Sequence, residues 1–426
     1  MSAWGAPDAP GHAATGESLS FSLLRLGDFR CLGAGMVLSS IGMMGEVVVL
    51  GWLALTLTDS PFLVGVAMGA RALPLFFVGV PAGALADRLP RHQLLIAAGA
   101  GQALTAAAIG LCTQLGLISL PGLVLLTLAA GTFRGLEHAA RQSYTHDVVG
   151  AASLLQGLAI LGVLMRAGWL LGSLGVGVII ARRGSGQAYL VVAACYLAGA
   201  AALLPVSARG RRDAARSGRD DRGAPAPLWR SVVEFLGLVR TDRTLLALMT
   251  LTAAAEVLGF SHQTLLPSLA RDVLHVGPEG LGALNAARSV GGMLGLVAAM
   301  RGLVQSTGAL FLVVIASFGV GVGVLGLAPY IVGFAGVLLV LTAANAMGAL
   351  ADLLAQSLLQ LGVPANLRGR AGGAWVVAIG LAPLGQLQIG GLASLFGVSV
   401  ALGASGLALG ALAAASAFLF PRLGRR

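Results

Sequence analysis

The chain has 426 residues, 57% of them hydrophobic and only 10% charged, where a soluble domain carries roughly 25% charged residues. So few charges exclude a soluble globular protein. The net charge of +10, whose basic side is arginine alone, must therefore be read from where the arginines fall. Cys31, Cys112 and Cys195 are scattered in or beside apolar runs, which excludes a disulfide framework or a metal-ligand spacing and predicts buried, structural thiols.

The first segment, "MSAWGAPDAPGHAATGES", is polar, rich in Gly, Pro and Ala, and lacks the basic start and short apolar core of a cleaved leader. It reads as a disordered cytoplasmic tail over 1–22. Beyond it the apolar runs are long enough to cross a bilayer, which takes about 20 residues each. Twelve candidate spans lie near 32–57, 62–86, 94–118, 121–140, 153–180, 187–206, 245–267, 281–300, 308–328, 331–360, 371–396 and 398–420. None alternates in the manner of a barrel strand, so the expected fold is an all-α integral membrane protein.

Orientation follows from the arginines. With the N-terminus inside, Arg25, Arg30, Arg88, Arg91, Arg141, Arg301, Arg368, Arg370, Arg422, Arg425 and Arg426 fall on inner connections, as does the cluster "ARGRRDAARSGRDDRG". Only Arg182, Arg183 and Arg271 stand outside. This is the positive-inside pattern, with both termini cytoplasmic and the chain multi-pass in the inner (cytoplasmic) membrane. It also makes nucleic acid an unsuitable partner despite the basic total.

The long polar insertion "SARGRRDAARSGRDDRGAPAP" divides the spans six and six. The expected organisation is an N-terminal six-helix bundle over 23–206, a cytoplasmic linker with an amphipathic helix over 207–243, a C-terminal bundle over 244–420 and a tail over 421–426. The halves resemble each other faintly. Gly65 and Arg71 repeat the spacing of Gly282 and Arg288, and Glu46 in span one echoes Glu256 in span seven. Such repeats place a binding site between the halves.

Charges within spans are rare, costly and functional by default. At about 1.5 Å per residue, Glu46 lies about 21 Å from the inner surface and Arg71 about 13 Å from the outer one, so the two share a level and can pair. Arg134 and Arg166 sit near mid-depth, with Glu137 an i,i+3 neighbour of Arg134. The second half supplies Glu256, Arg288 and Asp352, so the first half has an extra cation and the second an extra anion. These can close against each other when no substrate is bound. Asn345 and Gln356 are weaker candidates for the cavity lining, alongside Asn285, Gln360, Gln386 and Gln388, each equally suited to an interhelical hydrogen bond. His138, His262, Trp52 and Trp375 read as packing or interface residues.

Between spans two and three stands "GALADRLPRH", in which Pro90 stops the helix beside Asp87, Arg88 and Arg91. This stretch resembles the signature of the major facilitator superfamily, and "ARALPLFFVGVPAGALADR", "RGLEHAARQSYTHDVV" and "LLQLGVPANLRGRAGGAW" resemble its drug:proton antiporter branch, which includes macrolide efflux proteins and siderophore exporters. The resemblance covers roughly 23–420. It implies two pseudo-symmetric six-helix bundles around a central cavity, and a conformational latch of Gly83, Asp87, Arg88 and Arg91, with Asp87 facing the start of helix eleven. Two departures stand out: His92 replaces a basic residue, and Trp169 in "RAGWLLGSLG" replaces the proline of antiporters, which puts antiport in question.

The expected function is therefore secondary active transport of an amphipathic small molecule by alternating access, as proton-coupled efflux of a drug-like compound, siderophore or lysolipid. Arginine cannot change charge, which leaves Glu46, Glu137, Glu256, Asp352 or a histidine to carry the proton; depth and symmetry favour Glu46 or Glu256. A lysophospholipid flippase without strict antiport, and a non-transporting scaffold or sensor, are the alternatives. An enzyme is not expected, since HExxH, GxSxG and P-loop spacings are missing. No cofactor and no metal are expected, and the partners are the substrate, protons and membrane lipid around a monomer.

Overall fold

The computed structural model describes residues 23, 25–88, 90–206, 243–301, 307–361, 378 and 380–420. The expected linker and amphipathic helix, the start of span eleven and both terminal tails lie outside them.

Helix α1 (Gly27–Thr58) ends where Asp59 turns left-handed at φ 50° and donates its N–H to the Leu55 carbonyl. Helix α2 (Pro61–Arg88) begins on proline, whose missing N–H costs nothing at a helix start. Helix α3 (Arg91–Gln114) follows Pro90. Helix α4 (Leu120–Ala201) starts under a Ser119 cap on the Gly122 N–H and stays helical for 82 residues.

A straight rod of that length would measure about 120 Å, four times the apolar thickness of a bilayer. Instead α4 folds back twice. Gly157 packs against Val149, eight residues earlier, and Gly184 adopts φ 82°, a conformation open to glycine. Arg134 and Tyr196 of this one helical run consequently reach the same Glu46 carboxylate. The run supplies three passes, matching three separate sequence spans.

In the second half, α5 (Arg243–Ala254) runs into an irregular stretch: a π-turn over Ala255–Gly259, a 3-10 stretch over Phe260–Leu265 and a second π-turn over Leu269–Val273. Sequence predicted a plain helix here; Pro267, which lacks an N–H for a regular ladder, lies between the distortions. Then follow α6 (Gly277–Met300), α7 (Gly308–Ile331), α8 (Gly333–Leu361), α9 (Ala382–Phe396) and α10 (Val398–Leu419).

Small residues let the helices touch. Gly172 meets the Ile41 carbonyl, Gly199 meets Ser39, and Gly319 and Gly326 of α7 face Gly406 and Ser399 of α10. Large apolar side chains such as Leu104, Leu125, Leu327 and Leu339 point outward, as a lipid-facing surface requires. The three cysteines are unpaired but only half-buried, not sealed in the core as expected. In a protein with lipid as its outer solvent, a thiol gains little from burial.

The two bundles meet at the end carrying the 59–60, Gly184, 274–276 and Gly397 connections. There Gly282 of α6 lies against the Ser173 carbonyl of α4, Gly177 lies against Pro278, and Gly65 of α2 lies against the Gln386 backbone of α9. The Phe62 N–H donates to Ser394 Oγ at 3.0 Å, and Arg271 Nη1 donates to Asp59 at 2.7 Å. Arg271 also donates to the Leu55 carbonyl at the C-terminus of α1, where a cation is favourable.

Candidate functional site

The deepest charged cluster centres on Glu46 of α1, only 3% exposed. Arg134 Nη2 lies 3.1 Å from Oε1 and 3.3 Å from Oε2. Arg71 Nε approaches Oε1 at 3.7 Å, while its Nη2 donates to the Met43 carbonyl at 3.3 Å. The Tyr196 hydroxyl donates to Oε2 at 2.6 Å. One carboxylate thus joins side chains from α1, α2 and two passes of α4. Both guanidiniums keep a buried Nε–H with no hydrogen-bond acceptor.

Glu137 belongs to a different cluster from its neighbour Arg134. Its Oε2 accepts from Gln102 Nε2 at 2.7 Å and its Oε1 pairs with Arg141. Arg141 also contacts the Met36 sulfur. Glu137 and Arg141 line a small cavity with Met36, Leu95 and Gly199, inside the first bundle.

Arg166 points toward the other half. Its guanidinium stacks over the Trp169 ring at 5.6 Å and lies against Gly292 of α6, where an added β-carbon would meet Nη1 at 2.5 Å. Asp352 of α8 is within its electrostatic reach. Trp169 is therefore a platform for this arginine.

In the second bundle, Glu256 sits on the first π-turn and lines a small cavity with Thr252, Phe260, Phe311 and Asp352. Gln356 Nε2 donates to Asp352 Oδ2 at 3.4 Å. Arg288 is held elsewhere: Nη1 donates to Asn285 Oδ1 at 2.9 Å and Nη2 to Gln263 Oε1 at 2.8 Å. His262, fully buried, faces the Gly259 carbonyl through Nδ1 at 2.7 Å and Asn345 Nδ2 through Nε2 at 3.4 Å. The structure thus gathers Glu46, Arg71 and Arg134, gathers Glu256 with Asp352 and Gln356, and keeps Arg288 from Glu256 despite the repeat that relates them to Arg71 and Glu46.

Gly83, Asp87 and Arg88 fall in the last turns of α2 with side chains outside the described set, and Arg91 opens α3. The partner expected for Asp87, the start of span eleven, is likewise outside it. Sequence reasoning did not assign Tyr196, Gln263 or the Asp59–Arg271 contact. A tyrosine in an apolar span is a signal in itself, because a buried hydroxyl seeks a partner.

Residues 18–424 match the model of the transmembrane secretion effector family, a branch of the major facilitator superfamily. The chain belongs to this family. It is a transporter and not an enzyme, and its all-helical membrane architecture is the major facilitator fold. Among family relatives, it is 28% identical over 393 residues to the enterobactin exporter EntS of Salmonella paratyphi A, covering 87% of this chain and 88% of that one. It is 23% identical over 287 residues to the staphyloferrin A transporter of Staphylococcus aureus, covering 67% and 69%. Solved folds agree: the nucleoside transporter NupG superimposes with a TM-score of 0.75 at 12% identity, covering 93% of this chain and 99% of that one. A bacterial homologue of the lysosomal transporter Spinster, inward-facing and occupied, gives 0.68 at 15%, covering 93% and 96%.

Proposed function

We propose that this family member exports an amphipathic, siderophore-like small molecule across the cytoplasmic membrane, driven by protons and alternating between two faces. The observation that carries this reading is Glu46, a carboxylate sunk at mid-span and gripped by Arg134, Arg71 and Tyr196. Structural glue needs no group that changes charge, whereas proton coupling does. Protonating Glu46 removes the described negative charge between two guanidiniums and frees both for other acceptors. Glu256 beside Asp352 offers a second exchangeable position in the other bundle. Arg166, lying on Gly292 of the opposite half, closes the path between the bundles. Asn345 and Gln356 line it, and Glu137 supports the first bundle from within.

Both termini lie on the cytoplasmic side in this reading, so the end sealed by Gly282, Gly65 and Arg271 is the outer one. The relatives' names, an enterobactin exporter and a staphyloferrin A transporter, support siderophore-type cargo.

The test uses protein reconstituted in liposomes with an imposed pH gradient, and labelled enterobactin and staphyloferrin A as cargo. Wild type accumulates at least one of them, and Glu46→Gln and Glu256→Gln each lower gradient-driven accumulation. Undiminished transport in both variants removes these residues as proton carriers. Absence of exchange for either cargo removes the siderophore assignment.

A further inference from the structure

Among the described residues, Arg288 is the one intramembrane arginine with neutral partners alone. Its two terminal nitrogens donate to amide oxygens of Asn285 and Gln263. The nearby His262 is neutral as well: its Nδ1, facing the Gly259 carbonyl, must donate, which leaves Nε2 to accept from Asn345. Among the described residues, Arg288 forms no salt bridge; its contacts are the two amide oxygens. By contrast Arg71 and Arg134 share Glu46, Arg141 has Glu137, and Arg166 has Asp352. A cation held away from bulk water without a counter-charge is costly, and such groups in a membrane pair with something.

The remaining hydrogens offer an edge to such a partner. A guanidinium has five N–H groups, and two of those on Arg288 are engaged. The Nε–H is buried with no acceptor. Nε and one terminal nitrogen form the side-on edge that matches both oxygens of a carboxylate. Asn285 and Gln263, by accepting from the terminal nitrogens, fix the plane of the guanidinium. The position suits a ligand between the bundles: Gly292, one turn further along α6, faces Arg166 of the first half, and Gln263 sits on the irregular 3-10 stretch.

We infer that Arg288, oriented by Gln263 and Asn285, is the subsite for an anionic oxygen group, a carboxylate or its equivalent, on the transported amphipathic molecule. This rests on the transporter reading but assigns the chemistry of one end of the substrate. The anion completes the side-on edge and neutralises the charge, and its departure leaves the guanidinium unpaired again.

The test measures binding to purified protein in zwitterionic-lipid nanodiscs with three probes of one shape: 2-naphthoate, methyl 2-naphthoate and 2-naphthylmethylammonium. Stabilisation by the carboxylate and not by the ester or the ammonium is expected. Arg288→Gln weakens naphthoate binding by about tenfold or more, while ester and ammonium binding do not change. Gln263→Leu gives a smaller loss, since it disturbs orientation and leaves the charge. If Arg288→Gln does not fold, Arg288→Lys decides: a point charge keeps carboxylate preference but weakens it several-fold. Equal binding of the three probes to wild type, or carboxylate preference untouched in the arginine variant, overturns the assignment. Inorganic phosphate stabilising as well as naphthoate also overturns it, by showing a bare anion site. Exchange of labelled enterobactin and staphyloferrin A is measured in parallel: carboxylate preference without exchange leaves the subsite standing and removes the siderophore-export reading, and exchange with no preference does the reverse.

Discussion

Asp59 of the first bundle and Arg271 of the second meet at 2.7 Å, and the same guanidinium also holds Asp272 at 2.6 Å. Asp59 takes φ 50° to reach this position, an uncommon backbone state for a residue with a side chain. The pair closes one end of the molecule beside the Phe62–Ser394 hydrogen bond.

Asp59 is 82% exposed, so the contact contributes about 0–1 kcal/mol, enough to shift an open-to-closed ratio by up to about fivefold. Arg271→Gln is expected to raise the reactivity of a cysteine placed at Ser60 toward an impermeant maleimide, in a background with Cys31, Cys112 and Cys195 replaced by serine. High salt acts in the same direction on the wild type and has little effect on the variant. Unchanged labelling of the variant denies the pair any part in closure.

Around Glu46 the contributions are coupled. Glu46→Gln leaves two buried guanidiniums facing each other and is expected to cost about 3–5 kcal/mol of stability. Tyr196→Phe removes one interhelical hydrogen bond, worth about 1 kcal/mol in a membrane setting. The double variant should lose less than the two single losses combined, by about 0.5 kcal/mol or more, because the hydroxyl bonds to the carboxylate. Thermal unfolding of the four proteins in one lipid provides the cycle, and strict additivity would contradict the 2.6 Å contact.

Gly282 and Gly175 make a controlled comparison. A β-carbon at Gly282 would lie 2.6 Å from the Ser173 carbonyl oxygen, whereas at Gly175 nothing lies within 4 Å. Gly282→Val is expected to part α4 from α6, increasing solvent access to that end and reducing transport by an order of magnitude or so, given what a misfit at close backbone contact costs. Gly175→Ala should leave transport intact and stabilise by about 0.5–1 kcal/mol, as helical glycine is costly. Equal tolerance of both changes would show that the crossing is not tight.

Much of the architecture could be read in advance because lipid imposes it. Run length set the spans, and the common depth of Glu46 and Arg71 brought them within 3.7 Å of each other. What escaped depended on lateral packing. Arg134 was placed beside Glu137 by helical spacing, yet it turns to Glu46 while Glu137 takes Arg141 and Gln102. Helical period fixes a face, but not which neighbouring helix covers it. Likewise the repeat matched Arg288 to Arg71 and Glu256 to Glu46, but the π-turn and 3-10 stretch of span seven depart from a regular helix, and Arg288 bonds to Asn285 and Gln263. Arg271 counted only as an outer positive charge, because its partner Asp59 comes 212 residues earlier.

At the α4–α6 and α2–α9 crossings, Gly282 presses on the Ser173 carbonyl and Gly65 on the Gln386 carbonyl, main chain to main chain. No side chain stands between them, so no rotamer flip can loosen either joint. The halves can part there only as stiff bodies, each carrying several helices at once, and a ligand that merely nudges one residue has no purchase on them.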